Sequence, residues 1–209
     1  MVLSGRKLIL ASQSPRRKEL LAKMGLVFEV IPSDYDEQLD HSRHVEKVAV
    51  ELALGKARAV VKQHPKAVVI GSDTIVFING TQLGKPKDEN DARHTLRQLA
   101  GKVNVVSTGL AVVCEELNLV ITEVVSSKVF FKAYHRDTHE AYLASGDWHD
   151  KAGSYGIQSG AAPLISRIGG DYDSVLGLPT KTLAAILRPL GFICGPVELV
   201  PPVPVQQLP

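Results

Sequence analysis

The sequence predicts an α/β fold, on three observations. A short apolar run at 8–11 leads straight into a helix start. An isolated carboxylate, Asp73, stands between two apolar runs. Two long β-prone segments, 103–113 and 119–131, are joined by a four-residue turn. With 209 residues and 44% apolar content the chain has ample material for a core, as one large domain or two small lobes. Its 24 basic and 22 acidic residues nearly balance, which leaves no footprint for a long polyanion such as nucleic acid; an anionic partner should be small. Cys114 and Cys194 form neither a zinc-type spacing nor a disulfide framework. The first apolar run is too short for a signal-peptide core, and no run approaches membrane-spanning length, so a soluble cytoplasmic protein is expected. No GxGxxG or GxxxxGK[ST] phosphate loop occurs.

The elements follow in order. Ser14-Pro15 reads as an N-cap with proline in the first helical turn, and Gly25 closes that helix. Arg16, Arg17 and Lys18 crowd its positive end, where cations are disfavoured unless an anion binds; Ser12, Ser14 and the first-turn amides add donors. The other reading is an ordinary helix start with solvated arginines. Residues 27–31 alternate as a strand and lead to the acidic stretch 33–37, either a solvated turn or a source of oxygen ligands, Glu37 among them, for a divalent cation. Residues 45–61 have helical periodicity, with Val45, Val48, Ala49, Leu52, Ala59 and Val60 on one stripe. Lys56 shares that stripe and must snorkel to water or meet an anion.

Residues 68–70 begin a strand, Gly71-Ser72-Asp73-Thr74 follows, and 75–78 resume the apolar character. An ionised Asp73 there needs a metal, a cation or donors, unless it marks a bulge and bonds its own backbone. Asn79-Gly80 is a hairpin turn, Asp88 caps a helix that ends at Gly101, and Lys85, extended before Pro86, is placed to project beside Asp73. Asp137 is expected to cap a short helix reaching Gly146. The small residues of 150–160 allow close approach of backbone to a ligand. A strand at 164–168 and a last helix from Pro179 to about Leu190 complete the domain, residues 1–194; the proline-rich tail, 195–209, reads as extended.

Seven ordered motifs then carry a resemblance: SQSPRR at 12–17, LALGKA at 52–57 around Lys56, GSDT at 71–74, GKPKD at 84–88, Thr108-Gly109, DKAGSYGIQ at 150–158, and Gly177-Leu178-Pro179. Together they resemble the Maf family of nucleotide pyrophosphatases, whose fold is similar to that of the inosine triphosphatases. The resemblance implies a mixed twisted sheet flanked by helices, in two lobes around a cleft. It also implies hydrolysis of a nucleoside triphosphate to the monophosphate and pyrophosphate, with Mg²⁺ or Mn²⁺, in a homodimer. In that reading Asp73 is the general base and, with Glu37, a metal ligand; Ser12, Ser14, Arg17, Lys56 and Lys85 hold phosphates. Arg16, Thr74 and Gln158 select the base and match the branch acting on dTTP and UTP, since a glutamine offers donors and an acceptor to a pyrimidine edge. The alternatives are the branch acting on 7-methyl-GTP and a nucleotide-binding regulator of division that does not cleave. Two positions depart from the family pattern: Gly55 stands where a glutamate often precedes the lysine, and Asn104 where a histidine is common.

Overall fold

A seven-stranded mixed sheet runs through the molecule in the order β2-β1-β3-β5-β6-β7, with β4 added beside β3. The strands are β1 (Leu8–Leu10), β2 (Glu29–Val30), β3 (Val68–Ile78), β4 (Thr81–Leu83), β5 (Val103–Cys114), β6 (Leu119–Phe131) and β7 (Ile165–Gly169). The structure is a computed structural model, and it describes residues 2–3, 5–36 and 44–195. Only β1 pairs in parallel, with β2 and β3; the other pairings are antiparallel. The helices are α1 (Pro15–Lys23), α2 (Val45–Val61), α3 (Glu89–Leu99), α4 (Arg136–Ala144), α5 (Tyr172–Leu176) and α6 (Thr180–Leu187).

Alternation along β3 sorts the core into two faces, because successive strand side chains point to opposite sides. Val68, Ile70, Val76 and Ile78 join Leu20 and Leu21 of α1, Leu96 and Leu99 of α3, Leu143 of α4 and Leu183 and Leu187 of α6 in the larger cluster. Val69 and Ile75 face α2 instead. The contact with α2 is made of small residues. Ala49, Ala53 and Ala57, four apart on one helix face, are fully buried against Gly71 of β3 and Gly109 of β5. A Cβ at Gly71 would lie 2.1 Å from the Ala53 carbonyl oxygen, and one at Gly109 would lie 2.1 Å from that of Ala49. Glycine at both positions therefore brings the helix backbone onto the sheet, and Ala53 and Ala57 displace Ala59 from the expected stripe.

β1 pairs β3 at 68–70 and β4 pairs it at 76–78. Between them, among the described residues, 71–75 have β5 alone beside them. This stretch lies at the carboxyl end of β1, the position where open α/β sheets commonly bind ligands. At the other side of the sheet β7 covers only 128–131 of β6, and along 119–127 β6 has β5 alone among the described residues.

Several local expectations are corrected. The expected strand at 27–31 shrinks to two exposed residues, and Val27 is 95% exposed, because no layer covers that outer edge among the described residues. Asp137 does not cap α4: the helix starts at Arg136 behind His135, whose backbone is extended, and Asp137 falls inside the first turn. α5 was not anticipated. Asp171 caps it by accepting from the Ser174 N–H at 2.7 Å, and Gly177 ends it at φ 111°. Glu37 and the tail beyond Gly195 lie outside the described residues.

Candidate functional site

The loop from β1 into α1 flanks the open stretch of β3, where Arg17 meets Thr74. Ser14 caps α1 by accepting from the Arg17 N–H at 3.4 Å, and Ser12 is buried, accepting from the Ser14 N–H at 3.2 Å. Proline at the first helical position costs nothing there, since its N–H would have no intrahelical partner. Arg17 reaches out of this turn as a three-pronged tie. Its Nε donates to the Gly177 carbonyl at 2.8 Å, one terminal nitrogen to Ser12 Oγ at 3.2 Å and the other to Thr74 Oγ1 at 3.2 Å. The rigid fork of guanidinium donors suits such a junction better than an ammonium would. Arg16, one residue earlier, is half-buried in the same turn.

Thr74 belongs to a hydroxyl network on the α5 side of the sheet. Its Oγ1 lies 3.0 Å from that of Thr108, which donates to the Ser174 carbonyl at 2.6 Å. Ser72 Oγ lies 2.9 Å from the carbonyl oxygens of both Gly109 and Gly177 and shares its single proton between them. Ser127 and Ser174, 2.9 Å apart, continue the network to Asp171. The five hydroxyls fix the Gly177 turn against β3 and β5. The sequence motifs contain Ser72, Thr74 and Thr108, but sequence reasoning passed over Ser127, Ser174 and the network that joins all five; its only further signal was Asp171 followed by Ser174 and Gly177, a cap and a stop around five residues.

Asp73 points to the opposite face, towards α2. It is 8% exposed and pairs across the sheet with Gly109, so no side chain separates it from the helix. Lys56 Nζ lies 2.5 Å from Asp73 Oδ1, with both side chains about nine-tenths buried. A cation that compensates Asp73 is therefore Lys56, on the neighbouring helix. Asp73 sits in a continuous strand of 11 residues, without the alternative bulge. Lys85 is exposed in the loop after β4, whose Gly84 carbonyl accepts from the Gly153 N–H at 3.0 Å. Gln158 is exposed on the segment that contains Gly153. The structure thus gathers Ser12, Ser14, Arg17 and Thr74 on one face of β3 and joins Lys56 to Asp73 on the other. Lys85 and Gln158 are carried by two surface segments bonded to each other.

Both departures from the family pattern have a structural counterpart. A Cβ at Gly55 would stand 2.3–2.6 Å from three ring carbons of Tyr35, so the tyrosine occupies the space a side chain at 55 would fill. Asn104, 1% exposed, donates to the Val129 carbonyl at 3.2 Å and accepts from the Tyr155 hydroxyl at 2.8 Å. Burial pushes the Tyr155 phenol far above its ordinary range, so it remains a neutral donor.

Among the described residues no three histidine, cysteine or acidic side chains come together as a metal cage. Asp73 supplies a hard oxygen donor, and Mg²⁺ commonly takes one or two carboxylates and completes its shell with phosphate oxygens and water. The donor chemistry fits such an ion.

A sequence profile described as "Maf-like protein" matches residues 7–190. The chain is 42% identical over 193 residues to a dTTP/UTP pyrophosphatase of Geotalea uraniireducens, covering 92% of this chain and 100% of the relative. It is 40% identical over 189 residues to one of Aquifex aeolicus, covering 90% and 98%, and 42% identical over 185 residues to one of Pyrococcus abyssi, covering 88% and 96%. No helix among the described residues is long and apolar enough to cross a membrane. The buried Lys56–Asp73 pair at the open stretch of β3, the capped turn behind Arg17 and this full-length similarity lead to one conclusion: the chain belongs to the Maf family.

Proposed function

We propose that the chain hydrolyses dTTP and UTP between the α- and β-phosphates, releasing the nucleoside monophosphate and pyrophosphate. The observation that carries this reading is the Lys56–Asp73 pair, a buried carboxylate and ammonium 2.5 Å apart beside the open stretch of β3. A pocket built only to hold an anionic triphosphate gains nothing from a carboxylate in its floor, because like charges repel most strongly where water is scarce. A hydrolase has a use for it: Asp73 accepts a proton from the attacking water. The ammonium of Lys56, with its three donors, orients that carboxylate and meets a phosphate oxygen as charge shifts in the transition state. The turn at 12–17 presents backbone amides and hydroxyls to the phosphates, Arg17 holds it in shape, and Lys85 closes on them from the loop after β4. Asp73 with Glu37 would hold Mg²⁺ or Mn²⁺, which would supply further charge neutralisation. Arg16, Thr74 and Gln158 select the pyrimidine. The edge of β6 at 119–126, without a strand partner beyond β5 among the described residues, supports a homodimer, since an edge of that length invites pairing.

The test separates cleavage from binding. Asp73→Asn keeps an oxygen for Lys56 and removes the base, so turnover should fall more than about a hundredfold while UTP still binds. A fall below tenfold would remove Asp73 from the chemistry and favour the non-cleaving regulator.

A further inference from the structure

Asp147, in the turn after α4, has no part in the account so far, yet its carboxylate grips both ends of the segment that displays Gln158. Oδ1 accepts from Lys151 Nζ at 3.0 Å, while Oδ2 accepts from Ser159 Oγ at 2.5 Å and from the Gly160 N–H at 3.2 Å. Lys151 also donates to the Asp147 carbonyl, and its stem runs so close over Gly156 that a Cβ there would meet Lys151 Cε at 2.6 Å. Within the segment, the Ser154 carbonyl accepts from the Tyr142 hydroxyl at 3.2 Å, and the Tyr155 hydroxyl donates to Asn104. Gln158 is left exposed between these anchors and the clasped end.

A segment rich in glycine and serine does not hold a side chain in one place unless something closes it, and ordering it on binding would cost affinity. We infer that Asp147 is the positioning residue that closes residues 151–160 into one conformation, so that Gln158 stands ready for the pyrimidine edge. The inference rests on the reading of Gln158 as a base-selecting residue. Partial burial pushes the Asp147 carboxyl up, but hydrogen bonds from Ser159 and Lys151 outweigh it and hold the group below the usual carboxylate range. The clasp is thus an ionised carboxylate with donors on both sides.

The experiment compares the full-length wild type with Asp147→Asn, Ser159→Ala and Gln158→Ala. It measures hydrogen exchange over 151–160 without nucleotide, and kcat and KM for UTP and CTP. Asp147→Asn should speed exchange in that segment, raise KM for UTP about tenfold with kcat within about twofold, and lower the UTP-over-CTP preference towards that of Gln158→Ala. Ser159→Ala, which removes one of the three bonds, should move each readout the same way by less, and it serves alone if Asp147→Asn does not fold. Faster exchange with unchanged KM and preference would reduce the clasp to a structural role and overturn the inference; so would unchanged exchange. If Gln158→Ala itself leaves the preference intact, the base-selection reading fails and takes the inference with it, while the exchange data still report whether the clasp exists.

Discussion

Gly71→Ala is the most informative single-methyl change in this molecule. The added Cβ would stand 2.1 Å from the Ala53 carbonyl oxygen and 3.0 Å from both Ala57 Cβ and the Ala57 nitrogen. Ordinary carbon–oxygen contacts need more than 3 Å, so α2 must retreat by about 1 Å, because the obstacle is helix backbone and no side chain can rotate away. Lys56 lies one turn beyond Ala53, and the same retreat carries its ammonium out of the 2.5 Å contact with Asp73. Overpacking of this kind costs about 1–3 kcal/mol. For a domain of this size each kcal/mol lowers Tm by about 2–4 °C, so a fall of about 2–12 °C is expected by calorimetry. A displacement of about 1 Å at the reacting groups lowers kcat by about a hundredfold. Pyrophosphate release from UTP at a temperature where the variant remains folded isolates that second effect. A variant that melts several degrees early yet keeps wild-type kcat would refute the claim that close seating of α2 sets the catalytic pair.

Three further outcomes follow from other contacts. Gly55→Ala should drive the Tyr35 ring off α2 and cost about 1–3 kcal/mol in urea unfolding, and pairing it with Tyr35→Ala should recover most of the clash; no recovery would mean the two positions do not meet. Arg17→Lys keeps the charge but cannot reach Gly177, Ser12 and Thr74 together, so KM for UTP should rise at least about tenfold, and a KM unchanged within about twofold would show that charge alone matters at this position. Asp173 is pushed up by burial, with the Thr180 hydroxyl bond only partly offsetting it, so its ionised form is disfavoured in the folded state. A raised folded value means the group favours folding while protonated in acid and opposes it once ionised as pH rises. Asp173→Asn should therefore raise Tm at neutral pH, with the gain fading as the medium is acidified; equal gains at both pH values would contradict this.

Periodicity made much of the frame legible. The N-cap at Ser14, α2 over its full length, the Asn79-Gly80 turn and the long β5–β6 hairpin all follow from local patterns that tertiary context had no reason to override. What the pattern could not show is which strand face meets which helix. Strand alternation predicts that Asp73 and Thr74 diverge, but only the packing of Ala49, Ala53 and Ala57 on Gly71 and Gly109 shows that Asp73 faces α2 and therefore Lys56. Lys85, nearer in sequence, was for that reason the less informative neighbour. The α5 turn, the hydroxyls of Ser127 and Ser174, and the bonds that tie Ser72, Thr74 and Thr108 to that turn were hidden because small polar residues have no periodic signature; their meaning lies in contacts between distant segments. Asp147 was invisible for the same reason, since a lone acid after a glycine reads as a solvated turn.

The central claim is selective cleavage of dTTP and UTP. It is tested most directly by identifying the products formed by the purified full-length protein with Mg²⁺ or Mn²⁺ from dTTP, UTP, CTP, GTP and 7-methyl-GTP. The account predicts monophosphate and pyrophosphate from dTTP and UTP, and at least about a hundredfold lower kcat/KM for the other three. Preference for 7-methyl-GTP would contradict the roles given to Arg16, Thr74 and Gln158, and tight binding of UTP without any pyrophosphate would contradict the role given to Asp73.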